Sequence, residues 1–385
     1  MKHGNGFTLA ELLAVIVILG VITIIVFPAV NKTIKQSKEG TYEEQKNTII
    51  RNAKRWSVEN ADQLSEDRSI YLSIDQLKRE GYMENKDVVN PLTEEIMDGC
   101  IRISYDEEYN QYNYSYMDVS CDEIKTFAEV MEPLIGTEVN NNDPDGNLRY
   151  VGPTPNNYVW FNNERWRIIG VFDGQAKIIR DDYYSTSIKW DSNGSNNWAT
   201  ASLQLALNNT TDGYIKTIQT NDSTSYSYID LEHVWNIGGY DYSYSTTGTR
   251  SAFYSAERSE TISSVMTSHL WTGAIGLMYP SDYGYASSGA SETCEGKDMY
   301  NWYTGDYKTE CAQNSWLYDS KSHQWTLTPL SDYSYIVFFV NSTGNVYTNG
   351  VSSNFAARPV LFLKSDTKIV GGQGTYDDPY ILIGG

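Results

Sequence analysis

Histidine and cysteine are scarce in this 385-residue chain, which has four of each. The cysteines form two couples that are close in sequence, Cys100 with Cys121 and Cys294 with Cys311. Neither couple has the CxxC spacing that is typical of zinc sites, and four histidines offer few alternative ligands. The sequence therefore predicts no metal centre and no other cofactor.

Positive charge is also scarce, because 29 Lys and Arg stand against 49 Asp and Glu, a net charge of −20. The first 55 residues hold eight basic and four acidic residues, so the remainder carries a net charge of −24. An acidic exterior repels phosphate backbones, and we therefore expect no nucleic-acid partner. No repeat of fixed period is present, and the length suits two domains.

One long apolar run is present, over the 24 residues from Phe7 to Val30, and it is long enough to span a bilayer as a helix. Lys2 precedes it, as in a signal peptide, but no small-residue A-x-A cleavage site follows it. Glu11 lies inside the run, where an isolated carboxylate is unfavourable by roughly 2–3 kcal/mol. This cost indicates that Glu11 has a partner of opposite charge.

Cleavage of the chain after Gly6 would supply that partner. Phe7 would then carry a free α-amine, and Glu11 would become the fifth residue. The amine of a neighbouring copy, shifted along the helix axis, could pair with this carboxylate and set the stagger of an assembly. We therefore expect Glu11 to act in assembly and not in catalysis.

The stretch GNGFTLAELLAVIVILGVITIIVFPAV resembles the N-terminal cleavage and methylation motif of type IV prepilins. Pro28 matches the helix-bending proline of that family, and the cleavage motif itself is carried by Gly6, Phe7, Thr8, Leu9 and Glu11. The resemblance implies that a prepilin peptidase cleaves between Gly6 and Phe7 and methylates the new amine of Phe7. It also implies a single-pass protein of the cytoplasmic membrane that later joins other pilin subunits in an extracellular pilus at the cell surface. Glu11 and Pro28 would then serve filament assembly.

A helical stem is expected to continue from the apolar run. We therefore divide the start of the chain into a leader at 1–6 and one helix over 7–60, whose part 7–30 forms the transmembrane segment and filament core. Pro28 and Gly40 are expected points of bending. An apolar stripe at helical spacing indicates packing against a small domain over 61–125, and its members are Ile34, Tyr42, Ile49, Ala53 and Trp56.

The small domain is expected to hold a short helix over Ile74–Glu80 that stops at Gly81, and then a β-hairpin. The hairpin is indicated by CIRISYDEEYNQYNYSYMDVSC, residues 100–121, where apolar and aromatic residues alternate on both sides of a polar turn. Because the N-terminus indicates export, we expect a disulfide between Cys100 and Cys121, at paired strand ends, and another between Cys294 and Cys311. A small sheet on a long helix, fastened by a disulfide, fits a pilin subunit.

Residues 126–149 include EVNNNDPDGN, whose composition predicts a linker. Asn141, Asp143, Asp145 and Gly146 imitate the start of an EF-hand loop, but Gly152 stands where the closing glutamate would be. A plain turn is therefore favoured over a calcium site.

Residues 150–385 combine aromatic strands with long polar loops, which predicts a β-rich domain. NNWATASLQLALNN predicts one amphipathic helix with Leu203, Leu205 and Leu207 near its buried side, and SYIVFFVNSTGNVYTNGV predicts a hairpin. The passages WRIIGVF, NWATASLQLALN, IGLMYPSDYGYA and ARPVLFLKSD resemble a domain of surface proteins in low-GC Gram-positive bacteria. Its arrangement is similar to the C-type-lectin-like fold group. The expected fold class is thus α+β: a long N-terminal helix packed on a small antiparallel sheet, then a β-rich C-type-lectin-like module.

The features that carry calcium-dependent sugar binding in C-type lectins are missing. No Glu-Pro-Asn, Gln-Pro-Asp or Trp-Asn-Asp tripeptide occurs in the chain. His233 and His269 lie near acids, but so do most residues of an acidic chain, and we expect no enzymatic activity. Exposed rings could stack on sugars, although buried positions are the usual place for tryptophan; the candidates are Trp160, Trp190, Trp198, Trp271, Trp316 and Trp325.

Three functions fit these observations. The leading hypothesis is a modular minor pilin of a type IV pilus, whose C-terminal module serves adhesion or tip recognition of a host glycan or protein. The second is a pseudopilin of a type II-like secretion or competence machine, which shares the N-terminal chemistry. The third is an uncleaved surface receptor that keeps its leader and is anchored by the apolar helix.

Overall fold

A computed structural model describes residues 9–64, 66, 69–106, 109–288 and 292–384 of the chain. The chain divides into two compact units, Met1–Asp122 and Glu123–Gly385. The first contains the long apolar helix and a small sheet, and the second is rich in antiparallel sheet. The α+β class and the long N-terminal helix agree with the expectation from sequence.

The first helix, α1, extends from Leu9 to Glu59 and contains Pro28. Four members of the predicted stripe are buried, namely Tyr42, Ile49, Ala53 and Trp56. The fifth, Ile34, is 49% exposed, which differs from the prediction. The reason is that the core of the first unit begins at Tyr42, and Ile34 lies about two helical turns before it.

The remaining elements of the first unit are β1 (Ile70–Ser73), α2 (Ile74–Arg79), β2 (Gly99–Asp106) and β3 (Gln111–Ser120). The three strands form an antiparallel sheet in the order β1-β2-β3. The Ser73 hydroxyl accepts a hydrogen bond from the Gln76 N–H at 3.0 Å and caps α2, while Gly81 follows its end with φ +83°. The predicted short helix and hairpin are therefore confirmed.

Both cysteine couples lie at disulfide-bonding distance. The Cα atoms of Cys100 and Cys121 are 4.9 Å apart, at the end of the hairpin in the first unit. Those of Cys294 and Cys311 are 5.6 Å apart, in the second unit. Each couple closes a segment within its own unit.

The strands of the second unit are short, and several belong to hairpins. In chain order they are β4 (Val139–Asn140), β5 (Leu148–Tyr150), β6 (Tyr158–Phe161), β7 (Glu164–Phe172), β8 (Gln175–Arg180), β9 (Ser185–Lys189), β10 (Val234–Asn236), β11 (Leu270–Thr272), β12 (Ile275–Gly276), β13 (Gln324–Pro329), β14 (Ile336–Val340), β15 (Val346–Gly350), β16 (Asn354–Ala357), β17 (Val360–Phe362), β18 (Lys368–Gly371) and β19 (Ile381–Ile383).

The larger sheet of the second unit has the order β12-β17-β8-β7-β5-β4, with β6 also paired to β7, and its pairs are antiparallel. A second sheet has the order β15-β14-β13-β16-β9 and contains one parallel pair, β13 with β16. The predicted hairpin is β14–β15, with Gly344 in its turn at φ +96°. Two further pairs are β10 with β11 and β18 with β19.

Helices of the second unit are also short, and most lie between β9 and β13. They are α3 (Phe127–Met131), α4 (Ser202–Asn208), α5 (Tyr214–Asn221), α6 (Ser223–Ser227), α7 (Tyr244–Thr247), α8 (Arg250–Glu257), α9 (Pro280–Tyr285), α10 (Glu292–Glu295) and α11 (Gly305–Tyr307). The sequence predicted α4, with Leu203 and Leu207 buried, but Leu205 is 54% exposed and lies on its outer side. A helix turns by about 100° per residue, so alternate positions do not share one face.

The segment 126–149, expected as a linker, is instead structured within the second unit. It contributes α3, β4 and part of β5, and Phe127, Met131 and Val139 are buried in the core. These apolar side chains are spaced among polar residues, and the Asn- and Asp-rich run after Val139 forms the turn between β4 and β5.

Most of the candidate tryptophans belong to the core. Trp190, Trp198, Trp316 and Trp325 are buried. Trp160 is 43% exposed and Trp271 is half-buried. Four of the six candidate tryptophans therefore lie in the core.

Candidate functional site

The apolar part of α1 is one candidate site, because its described large side chains are exposed. The leucine, isoleucine, valine and phenylalanine side chains that the structure describes between Leu9 and Val30 are 46–85% exposed. This stretch is long and apolar enough to cross a membrane. An apolar surface of this extent is stable only against lipid or other protein. The same helix beyond Tyr42 packs on the sheet of the first unit.

The residues of the predicted processing site are placed in part. Glu11 lies in the first turn of α1, and Pro28 lies inside the same helix. Gly6 and Phe7 fall outside the described residues.

A second candidate site is a polar cleft of about 200 Å³ in the second unit. It opens where β7 turns into β8, with further lining from β10, β17, α8 and the loops before β5 and α9. We call this the β7–β8 cleft. The side chains that determine its chemistry are Asp173, Lys177, His233, Tyr254, Tyr279 and Phe362.

Lys177 lies at the floor of the β7–β8 cleft, and a buried chain of charges extends from it into the core. Lys177 Nζ lies 2.5 Å from Asp282 Oδ2, Arg149 Nη1 lies 3.0 Å from Asp282 Oδ1, and Arg149 Nε lies 2.7 Å from Asp143 Oδ2. All four side chains are at most 3% exposed. Burial alone would raise the pKa of Asp282, but Lys177 and Arg149 together hold that pKa below its usual value.

Lys177 enters this arrangement from the middle of β8, which otherwise contributes apolar residues to the core. Its Nζ lies 4.2 Å from the ring centroid of Tyr279 and 5.5 Å from those of Phe172 and Phe362. Burial lowers the pKa of Lys177 to about 8, and the nearby Asp282 opposes that shift. The Lys177 ammonium is thus enclosed by aromatic rings and forms an ion pair with Asp282 on one side.

Beside this floor, Glu257 is fully buried at the end of α8. It accepts hydrogen bonds from the Ser281 N–H at 3.0 Å and from the Ser281 hydroxyl, and Arg258 Nη1 lies 3.6 Å away. Burial raises the pKa of Glu257 to about 7. The carboxyl is therefore partly protonated near neutral pH.

The wall of the cleft includes a stacked ring pair. The His233 and Phe362 rings are 3.6 Å apart between centroids, and His233 Nδ1 lies 3.3 Å from Asp230 Oδ2. Burial lowers the pKa of His233 to about 4, so the imidazole is neutral at physiological pH.

The mouth of the cleft carries two carboxylates and one guanidinium. Asp173 is exposed in the turn between β7 and β8, at φ +49°. Asp145 Oδ2 accepts a hydrogen bond from the Tyr254 hydroxyl at 2.6 Å and lies 3.8 Å from Arg258 Nε. The Arg258 guanidinium lies over the Tyr254 ring at 3.5 Å from its centroid.

Sequence reasoning missed Arg149, Lys177 and Asp282. A signal existed, since each is an ionisable residue inside an apolar run, as in QAKIIR and GLMYPSDYGY. Asp143, considered above as a start of a calcium loop, accepts hydrogen bonds from Arg149, from both the N–H and side-chain amide of Asn147, and from the Asp145 N–H. A guanidinium thus occupies the place beside Asp143 where a cation would have to bind.

The second unit also exposes tyrosine rings in neighbouring groups. Tyr242 contacts Tyr333 and Tyr333 contacts Tyr335, with centroids 5.8 and 6.1 Å apart. Tyr300 contacts Tyr303 and Tyr347 at 5.8 and 5.4 Å. Five of these rings are 38–51% exposed. We call the six residues the tyrosine surface.

Comparison with known proteins is informative at the N-terminus. Residues 1–27 match the prokaryotic N-terminal methylation motif. Neither a curated protein nor a solved structure matches the chain. The chain thus has a type IV pilin-like or pseudopilin-like N-terminus, and that motif implies processing by prepilin peptidase and assembly with other pilins. The exposed apolar helix fits membrane anchoring before assembly.

Proposed function

We propose that this protein is a modular minor pilin of a type IV pilus, with the second unit as its recognition module. The observation that carries the proposal is the continuity of α1. Its first part is an exposed apolar surface that overlaps the match to the methylation motif, and its second part is packed into the core of the first unit. This is the arrangement that a subunit needs to move from a membrane into a helical filament.

Cleavage between Gly6 and Phe7, methylation of Phe7, and pairing of Glu11 with a neighbouring amine are parts of this proposal. Mass spectrometry of the exported protein tests the first two. An N-methylated Phe7 at the mature N-terminus supports them, whereas an intact Met1 supports the uncleaved receptor instead.

The Glu11→Val variant tests the pairing. Membrane insertion should be unchanged or improved, and incorporation into sheared pili, measured by immunoblot, should be lost. Glu39→Val is a matched control on the same helix, because Glu39 lies beyond the apolar stretch and contacts Lys35 at 3.9 Å. Normal incorporation of Glu11→Val would contradict the pairing.

A minor position in the filament is supported by the size of the second unit, Glu123–Gly385, which would crowd a helical array if every subunit carried it. Immunogold labelling should find the protein sparse or at filament ends. Uniform labelling along the shaft would overturn the minor role. A pseudopilin remains the second candidate, and loss of secretion or transformation without loss of adhesion in a deletion strain would favour it.

The second unit is proposed to act by binding a host glycan or protein and not by catalysis. The tyrosine surface supports this role, since exposed tyrosines are enriched in recognition sites. The C-type-lectin-like fold of this unit stays a prediction.

A further inference from the structure

We infer that the β7–β8 cleft binds a neutral saccharide unit, with hydroxyl oxygens accepting hydrogen bonds from Lys177 at the floor and hydroxyl groups donating to Asp173 at the mouth. The inference rests on the proposed recognition role of the second unit and names the class of its ligand. It uses the residues of the cleft alone and does not involve calcium.

The floor of the β7–β8 cleft favours a ligand atom that accepts a hydrogen bond. A lysine ammonium has three N–H donors, and within the part of the chain that the structure describes Lys177 donates to Asp282 alone. Lys177 lines the cleft and is 1% exposed, and its Nζ is otherwise surrounded by the rings of Phe172, Tyr279 and Phe362. A ligand oxygen at this point would satisfy a buried donor, which is a favourable change.

The mouth requires a donor. Asp173 is exposed in a tight turn and forms no hydrogen bond through its side chain among the described residues. One carboxylate oxygen of Asp145 accepts a hydrogen bond from the Tyr254 hydroxyl. The side-chain NH2 group of Asn147 donates to Asp143 and Tyr254, so the side-chain carbonyl oxygen of Asn147 is a further acceptor. Acceptors at one end and a donor at the other match the dual character of a hydroxyl group.

Charge at the cleft favours a neutral ligand. Asp145 and Asp173 carry two negative charges, and Lys177 and Arg258 carry two positive charges. Lys177 already contacts Asp282 and Arg258 already contacts Asp145, so an anion would meet the carboxylates of the mouth without gaining a free cation. A cationic ligand would bring its charge against Lys177 and leave the floor donors unsatisfied.

The size and the apolar wall agree with one sugar ring. A volume of about 200 Å³ lies below the roughly 300–1,000 Å³ of sites for drug-sized ligands. Phe172 and Phe362 line the cleft and are 8% and 6% exposed, so they supply a small apolar wall for the C–H groups of a sugar.

The test uses the full chain in a detergent without a sugar head group. Saturation-transfer NMR and tryptophan fluorescence would be recorded with glucose, galactose, mannose and N-acetylglucosamine, and with glucosamine and glucuronate as charged analogues. We expect saturable binding of at least one neutral sugar in the millimolar range, and weaker binding of both glucosamine and glucuronate. No saturable binding of a neutral sugar, or tighter binding of a charged one, would overturn the inference.

Asp173→Asn locates the site with little risk to the fold, because Asn tolerates a positive φ. We expect about tenfold weaker binding, as for loss of a hydrogen bond to a charged group. Asp212→Asn, an exposed acid that does not line the cleft, is the matched control and should bind as wild type does. Equal binding by Asp173→Asn would place the sugar elsewhere. N-methylation of Phe7 is scored separately, so failure of binding and failure of the pilin role are distinguishable.

Discussion

Asp282 joins Lys177 to Arg149: its two carboxylate oxygens lie 2.5 Å from Lys177 Nζ and 3.0 Å from Arg149 Nη1. The three side chains come from α9, β8 and β5, so one carboxylate connects a helix to two strands of the larger sheet. The Asp282 carboxylate also accepts a hydrogen bond from the Tyr279 N–H at 2.9 Å.

Asp282→Asn should therefore destabilise the second unit by about 3–5 kcal/mol, because it leaves two buried cations without their shared anion. Lys177→Met should lower the free energy of unfolding by less, because Asp282 still contacts Arg149 and still accepts a hydrogen bond from the Tyr279 N–H. Urea unfolding in detergent measures both. Lys189→Met, at an exposed lysine, is the control and should be neutral. A smaller loss for Asp282→Asn than for Lys177→Met would contradict the central position of Asp282.

Glu257→Gln should change the pH dependence of stability. Burial raises the folded-state pKa of Glu257 from 4.5 to about 7, so the folded state binds more protons than the unfolded state between these values. The contribution of Glu257 to the free energy of unfolding of the wild type is therefore complete below pH 4.5 and is lost as pH rises through 7. The amide mimics the protonated acid and keeps its contacts with Ser281. Relative to wild type, the variant should gain up to about 3 kcal/mol between pH 4.5 and pH 8. A pH-independent difference in unfolding free energy would refute this.

His233→Phe should also change the pH dependence of stability, but on the acidic side, because the His233 contribution is lost as pH falls. Burial lowers the folded-state pKa of His233 from 6.5 to about 4, so the unfolded state takes up a proton first as the solution is acidified. Stability from this group is present above pH 6.5 and is lost as pH falls toward 4. Phenylalanine keeps the stack on Phe362 and cannot be protonated. Between pH 6.5 and pH 4 the variant should lose less stability than wild type, by up to about 3 kcal/mol. Identical acid profiles in urea unfolding would exclude His233 as the group responsible.

Trp56→Ala should loosen the attachment of α1 to its sheet. Trp56 is 2% exposed, and its Nε1 donates a hydrogen bond to Glu80 at 2.6 Å. Removal of a buried aromatic ring costs about 3–5 kcal/mol. Val58→Ala, two residues further along the same helix at a site 80% exposed, should have almost no effect. Protease digestion and urea unfolding of the first unit compare the two, and equal stability would show that this ring does not hold the stem.

The first unit could be predicted well because its signals are local. Periodicity over α1 indicated Tyr42, Ile49, Ala53 and Trp56, and alternation indicated the hairpin that joins Cys100 to Cys121. The exposure of Ile34 could not be read from periodicity, because a stripe shows which face is apolar but not where along the helix the partner sheet begins.

The β7–β8 cleft could not be predicted, because its parts are distant in sequence. Arg149, Lys177 and Asp282 meet only after the larger sheet and α9 have packed together. A single sequence does not indicate which residues of the sheet and of α9 come into contact. The short helices α5 to α11 were missed for a related reason: segments of three to eight residues give too few turns for a periodic signal.

The chain leaves the first unit at Asp122, immediately after Cys121. If the second unit holds a surface while the filament is pulled, the tension arrives at the end of β3 and would peel that strand from the sheet edge. The covalent link from Cys121 to Cys100 diverts the tension into the central strand, β2, where hydrogen bonds on both sides share it. The first unit would then behave as a mechanical clamp that withstands force only under oxidising conditions.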